Sequence, residues 1–169
     1  MDSAKTLYSI LNVIIFLLLI AIGLGFFFFV TILFGLKQDF VDVSVGLINF
    51  KTEAMLYVYT ILRLGVYAIF IKALWELRKA TKLFLKKDFY NNELIKRLFT
   101  SGKYMVASGV SMWCINGISD VFLKFRFSVG LSEKTLVYLL LIAIGLFLML
   151  MSSVLNDAKI LKEENELTI

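Results

Sequence analysis

Four apolar blocks, over residues 7–36, 54–75, 104–123 and 136–155, set the pattern of this chain. A hydrocarbon core of roughly 30 Å needs about 20 helical residues, so each block is long enough for a membrane span. The first is longer than needed. Its positions 7–12 are placed partly in the headgroup layer, with the deep span running to residue 34. A secretory leader has an apolar region of only about 7–15 residues before a small-residue cleavage site. This block ends instead in Leu33, Phe34, Gly35, Leu36 and Lys37, and is read as an anchor that stays. The run from Phe26 to Phe29 is read as a lipid-facing or packing surface, in preference to an aromatic ligand box.

The connections differ in period. In 37–53, Val41, Val43, Val45 and Leu47 alternate with Asp42, Ser44 and Gly46. Residues 124–129, Lys-Phe-Arg-Phe-Ser-Val, alternate in the same way. Period two predicts short strands with one wet face. On one side of the membrane the two can pair into a small extracytoplasmic β cap. An isolated pair is marginal in water, so packing on the helix ends has to support it.

The second span is predicted to run on past Trp75. Leu74, Leu77, Thr81, Phe84 and Leu85 continue an apolar stripe at helical spacing, while Arg78, Lys79, Lys82 and Lys86 point away. At 1.5 Å per residue this extension reaches roughly 15 Å beyond the bilayer. Residues 88–92 read as a turn. Asn91 is placed to cap a new helix, with Tyr90 and Ile95 as a hydrophobic staple. In the third block Ser101, Gly102, Ser108, Gly109, Asn116, Ser119 and Asp120 share about one third of the helix circumference at 100° per residue. That face is predicted to pack inside, because small residues allow close approach and polar ones need partners.

Composition and charge fix the class. The 169 residues are 60% hydrophobic and 18% charged, against about 45–50% and 25% in soluble domains. One small membrane domain, 1–169, fits the length. The net charge of +5 sits beside apolar spans. It is read as attraction to a bilayer with anionic headgroups, with no direct nucleic-acid binding. The N-terminus, the basic arm 76–103 and the tail 156–169 carry eleven Lys and Arg, against five in the other two connections. The positive-inside bias therefore places both termini and the arm in the cytoplasm. The single Cys114 and the absence of His exclude an intrachain disulfide and a His-based metal site. No metal and no cofactor is expected.

No catalytic constellation stands out. The chain has no G-x-x-x-x-G-K-[ST], G-x-S-x-G or H-E-x-x-H. Only Asp120 is a deep carboxylate, so a paired-aspartate intramembrane protease does not fit. Ala21 and Gly25 make a weak helix-packing motif. The sharpest oddity is Arg63, about 18 Å above Trp75. By depth it meets Asn116 and reaches toward Asp120, and Tyr59 and Tyr67 flank it one turn away on either side, placed to offer ring faces or hydroxyls. An unpaired charge there costs at least about 2.5–3.5 kcal/mol, so a partner is expected. A structural clamp between two spans is one reading; a polar cavity for a ligand or ion is the other.

The second candidate is a partner-binding surface. It combines Lys79, Lys82, Lys86 and Lys87 of the arm with Glu163, Glu164, Glu166 and Leu167 of the tail. The tail is either a solvated helix end, or docks on the arm, or presents with it a surface to a protein partner.

Residues 161–169, Leu-Lys-Glu-Glu-Asn-Glu-Leu-Thr-Ile, resemble the closing motif of the small bacterial membrane proteins grouped as domain of unknown function 2975. Asp88-Phe89, then Ile95-Lys96-Arg97-Leu98 and Gly102, resemble that family's segment before its third span. The resemblance covers nearly the whole chain and implies four spans but no activity and no catalytic residues. Members are often encoded beside a small helix-turn-helix regulator, which implies a membrane partner for a transcription factor.

The expected fold is therefore an all-α integral membrane protein of the bacterial cytoplasmic membrane, with four transmembrane helices and cytosolic helical extensions. The expected function is non-enzymatic: a signalling or sequestration module presenting a cytosolic surface to a helix-turn-helix regulator. The alternative is a small transporter, channel or immunity-type protein with a polar interior around Arg63.

Overall fold

The computed structural model describes residues 2–33, 53–86, 89–124 and 133–167. Among them are four helices: α1 (Asp2–Leu33), α2 (Glu53–Leu85), α3 (Asn92–Lys124) and α4 (Glu133–Leu167). Apart from Lys124, the last residue of α3, the period-two segments proposed as a β cap lie outside the described residues.

Each helix is longer than a bilayer requires. The 33 residues of α2 reach about 50 Å, and no Gly or Pro interrupts them between Trp75 and Leu85. Lys86 N–H bonds the Leu83 carbonyl at 3.0 Å as α2 closes. Asn91 then caps α3 as its side-chain chemistry dictates: its Oδ1 accepts the Glu93 N–H at 2.7 Å, and its carbonyl accepts the Ile95 N–H at 3.2 Å.

The helices form an open antiparallel row. α1 packs on α2, α2 on α3 and α3 on α4, and no other helix pair approaches closely among the described residues. Along α1 and α2, Tyr8 meets Arg78, Gly25 faces Leu64 and Phe29 stands edge-on to Tyr57. Arg78 donates to the Tyr8 hydroxyl at 3.3 Å and lies over the Tyr8 and Trp75 rings, pinning the start of α1.

The core is concentrated toward one end of the row. Leu11, Ile15, Ala73, Leu74 and Met105 form one buried cluster, and Ala80, Leu94 and Leu98 form a second under Leu148 and Leu155. The second lies on the extension past Trp75, so the apolar stripe predicted there is buried against α3 and α4. Most of the large apolar residues of α1 and α4 are exposed instead, Phe16, Phe27, Leu140 and Leu150 among them. Water does not tolerate two such helices; lipid does.

The small-residue face of α3 divides between two neighbours. Ser101 is fully buried and donates to the Ala73 carbonyl on α2 at 2.9 Å. Gly102 and Gly109, one position along, face α4. A Cβ on Gly102 would lie 2.5 Å from the Gly145 carbonyl, and one on Gly109 would lie 2.8 Å from Ile142. Ser152 of α4 adds a 2.8 Å bond to the Ile95 carbonyl.

Among the described residues, three segments are long and apolar enough to cross a membrane: Ala4–Thr31, Tyr57–Leu85 and Glu133–Glu166. The part of α3 whose side chains are described, up to residue 118, falls short of that apolar content. Lys103, Ser101, Ser108, Ser111 and Asn116 dilute it, and like α2 the helix is packed along both flanks.

Candidate functional site

Two polar regions stand out, one at span depth and one beyond Trp75. In the first, Asn116 is the hub. Its position on α3, opposite the early turns of α2 and of α4, lets it reach both helices. Its amide donates to the Tyr138 hydroxyl at 2.7 Å and to the Met112 carbonyl at 2.9 Å. Its Oδ1 accepts a long 3.5 Å bond from the Tyr59 hydroxyl. A half-buried amide with four bonding positions is thereby tied to three helices.

Arg63 stands beside this hub. Its Nε donates to the Tyr67 hydroxyl at 3.1 Å, with the guanidinium 5.7 Å from that ring's centroid. The helical i,i+4 spacing makes that contact local. So the residues singled out from sequence divide into Arg63 with Tyr67 and Asn116 with Tyr59. The side chain of Asp120 lies outside the described residues. Tyr138 was missed: it sits in a nearly pure apolar block, and its sequence signals are a hydroxyl at the depth of Asn116 and a seven-residue spacing to Gly145 and Ser152.

In the second region Glu76, 15% exposed, receives Arg97 at 2.6 Å and Lys79 at 3.1 Å. Arg97 also reaches Glu93 at 2.6 Å. This bond to Glu93, with the Glu76 carboxylate beside it, raises the Arg97 pKa and holds its charge. Lys79 is thus already paired, whereas Lys82 and Lys86 are exposed; Lys87 lies outside the described residues.

The tail meets the arm through its lysines. Lys159 donates to Asn92 Oδ1 at 2.7 Å, and the Lys162 ammonium lies 5.1 Å from the Tyr90 ring centroid. Glu163 and Glu166 pair one turn back with those same lysines, at 3.3 and 3.6 Å. Glu164 is exposed, and so are Ile160 and Leu161, at 45% and 60%. Leu161 therefore faces mostly away from this contact; the side chain of Leu167 lies outside the described residues.

Long apolar helices, a hydrogen-bonded seam at span depth and a charged helical extension define a multi-pass, all-α membrane protein. The chain belongs to the family described as Protein of unknown function (DUF2975), which matches residues 47–169. The match takes in α2, α3 and α4 and leaves α1 outside it. No curated protein and no solved structure matches the chain.

Proposed function

We propose that this protein is a non-enzymatic signalling or sequestration module of the bacterial cytoplasmic membrane, spanning it four times with both termini inside. It presents the extension of α2, α3 and α4 to a small helix-turn-helix regulator. One observation carries this reading. Ile160 and Leu161 are exposed beside Glu164 on a helix whose lysine side is held against Asn92 and Tyr90. Apolar residues past the end of a span, on a braced helix and next to negative charge, are the anchors a helix-in-groove partner uses. Basic regulators complement that charge.

The test is co-fractionation. A tagged regulator encoded beside the gene should sediment with membranes containing the full chain. It should move to the soluble fraction when residues 160–169 are deleted, with the amount of inserted protein unchanged. Retention on the truncated protein would remove this surface from the reading.

A second reading rests on Arg63, whose Nη groups have no acceptor among the described residues. A charge exposed at span depth suits a transport or immunity role through a polar path beside Asn116 and Tyr138. Loss of function in Arg63→Gln with the tail intact is its signature.

A further inference from the structure

On the face of the row opposite Tyr67 and Tyr138, α2 and α3 border a shallow open groove of about 530 Å³. Leu62, Gly65 and Ile69 line it from α2, and Ser111, Cys114 and Ile115 from α3. The same two faces continue toward the arm. On α2 the next residues along this face are Lys72 and Glu76; on α3 they are Tyr104 and Arg97. The contacts confirm the register: Lys72 Nζ lies 4.8 Å from the Tyr104 ring centroid, and Arg97 bonds Glu76. An apolar groove therefore runs down to a cation.

That cation differs from its neighbours. Lys79 and Arg97 are taken up by Glu76 and Glu93. Lys72 is exposed, its ammonium rests on an aromatic face, and it has no carboxylate partner among the described residues. It lies one turn inside Trp75, at the depth where long cationic side chains reach the headgroups. From Lys72 up to Leu62 is about 15 Å along the helix, half of a roughly 30 Å hydrocarbon core. The groove has the length of one leaflet's acyl chain, with a positive charge where that chain's phosphate would lie. At its centre, a Cβ on Gly65 would have nothing within 4 Å, so no neighbouring helix fills the groove there.

We propose that this groove holds one anionic phospholipid from the leaflet on the arm's side. One acyl chain lies over Gly65 between α2 and α3, and the phosphate rests on Lys72. The site is independent of the regulator surface and of the Asn116 hub.

Two measurements on the full chain in neutral detergent test this. Native mass spectrometry after adding dioleoyl phosphatidylglycerol or dioleoyl phosphatidylcholine should show one retained glycerol lipid in preference to the choline lipid. Lys72→Gln should reduce that preference roughly fivefold, the effect of one Lys near anionic headgroups. Lys96→Gln, which removes an exposed charge outside the groove, should leave it unchanged. Gly65→Leu fills the groove and should abolish retention of either lipid. Cys114, the sole cysteine, supplies the second readout: phosphatidylglycerol should slow its modification by a maleimide in the wild-type chain more than phosphatidylcholine does. Equal retention of both lipids, or an unchanged preference in Lys72→Gln, overturns the proposal. So does full retention by Gly65→Leu. Lys72→Gln changes only an exposed position and keeps the test decisive if Gly65→Leu fails to insert.

Discussion

Gly102 of α3 and Gly145 of α4 touch backbone to backbone: a Cβ on Gly102 would come within 2.5 Å of the Gly145 carbonyl, and one on Gly145 within 2.8 Å of the Gly102 carbonyl. Neither obstacle is a side chain that can swing away. Gly102→Ala should therefore separate α3 from α4 and destabilise the fold by about 1–3 kcal/mol. Gly117, on the same helix, has open space around it. Gly117→Ala should be neutral or stabilise by up to about 1 kcal/mol through helix propensity. Thermal unfolding in detergent, followed by Trp75 and Trp113 fluorescence, separates the two. Equal loss from both substitutions would mean that the close approach does not hold the row together.

The ion network on the extension couples α2 to α3. Glu76 bonds both Arg97 and Lys79, and Arg97 bonds Glu93 as well. Removing Arg97 leaves two acidic side chains without it, one of them largely shielded. Arg97→Ala should cost about 1–2 kcal/mol. Adding Glu76→Gln should cost clearly less than the two single changes together, because the pair shares one interaction. Additive losses in the same unfolding assay would show that water and Lys79 already satisfy Glu76.

How much of this was legible in the sequence depends on how local the cause is. α2 was readable past Trp75 because Leu77, Thr81 and Phe84 keep helical spacing, and the cap by Asn91 follows from two neighbouring peptide groups. Counting depth along two helices set Asn116 opposite Arg63; its bond across to α2 is to Tyr59, one turn away. For Arg63 the sequence offered Asn116, Asp120 and the flanking Tyr59 and Tyr67, and the guanidinium bonds Tyr67 on its own helix, where the spacing needs no tertiary register. Tyr138 and the side of the tail that meets the arm were missed. Both depend on the rotation of α4, which the Gly102–Gly145 contact and the Ser152 bond to Ile95 fix. Along α4 that face is marked by the seven-residue spacing of Tyr138, Gly145, Ser152 and Lys159, a sparse series of small and polar positions.

The Asn116 hub should behave as a unit. Tyr138→Phe removes one hydroxyl and leaves the Asn116 amide its bond to Met112. Interhelical hydrogen bonds in membranes contribute about 0.6–2 kcal/mol, so a loss in that range is expected. Asn116→Ala takes away the bonds to Tyr138 and Tyr59 together and should cost more. Once Asn116 is alanine, Tyr138→Phe should have little further effect. A full second loss would place the Tyr138 hydroxyl in a different interaction.

α3 is the helix whose spanning is open to direct test, because its polar seam keeps it below the hydropathy of the other three. In a Cys114→Ser background, Ser128→Cys should react with an impermeant thiol reagent in intact cells, and Lys96→Cys should not. That outcome places the two ends of α3 on opposite sides and the arm inside. Identical behaviour of the two would mean that α3 lies along the surface, with three crossings in all: neither labels if the N-terminus is inside, and both label if it is outside.

The last prediction concerns the tail. Exposed ion pairs contribute only about 0–1 kcal/mol each, so the pairs from Lys159 to Glu163 and from Lys162 to Glu166 are weak determinants of anything beyond local helicity. The Lys159 bond to Asn92 and the Lys162 contact with Tyr90 orient the helix. That leaves Ile160 and Leu161 facing outward. If this face engages the regulator, burial of the two side chains supplies most of the binding, at about 1.5–3 kcal/mol for each fully covered residue. Leu161→Asp should then release the regulator from membranes, whereas Glu163→Gln should reduce its retention only slightly. Neither change should alter thermal stability much, because both positions are exposed. The two variants acting alike would indicate that charge alone attracts the partner. Release by Lys159→Ala but not by Leu161→Asp would show that the orientation of the tail matters and its apolar face does not.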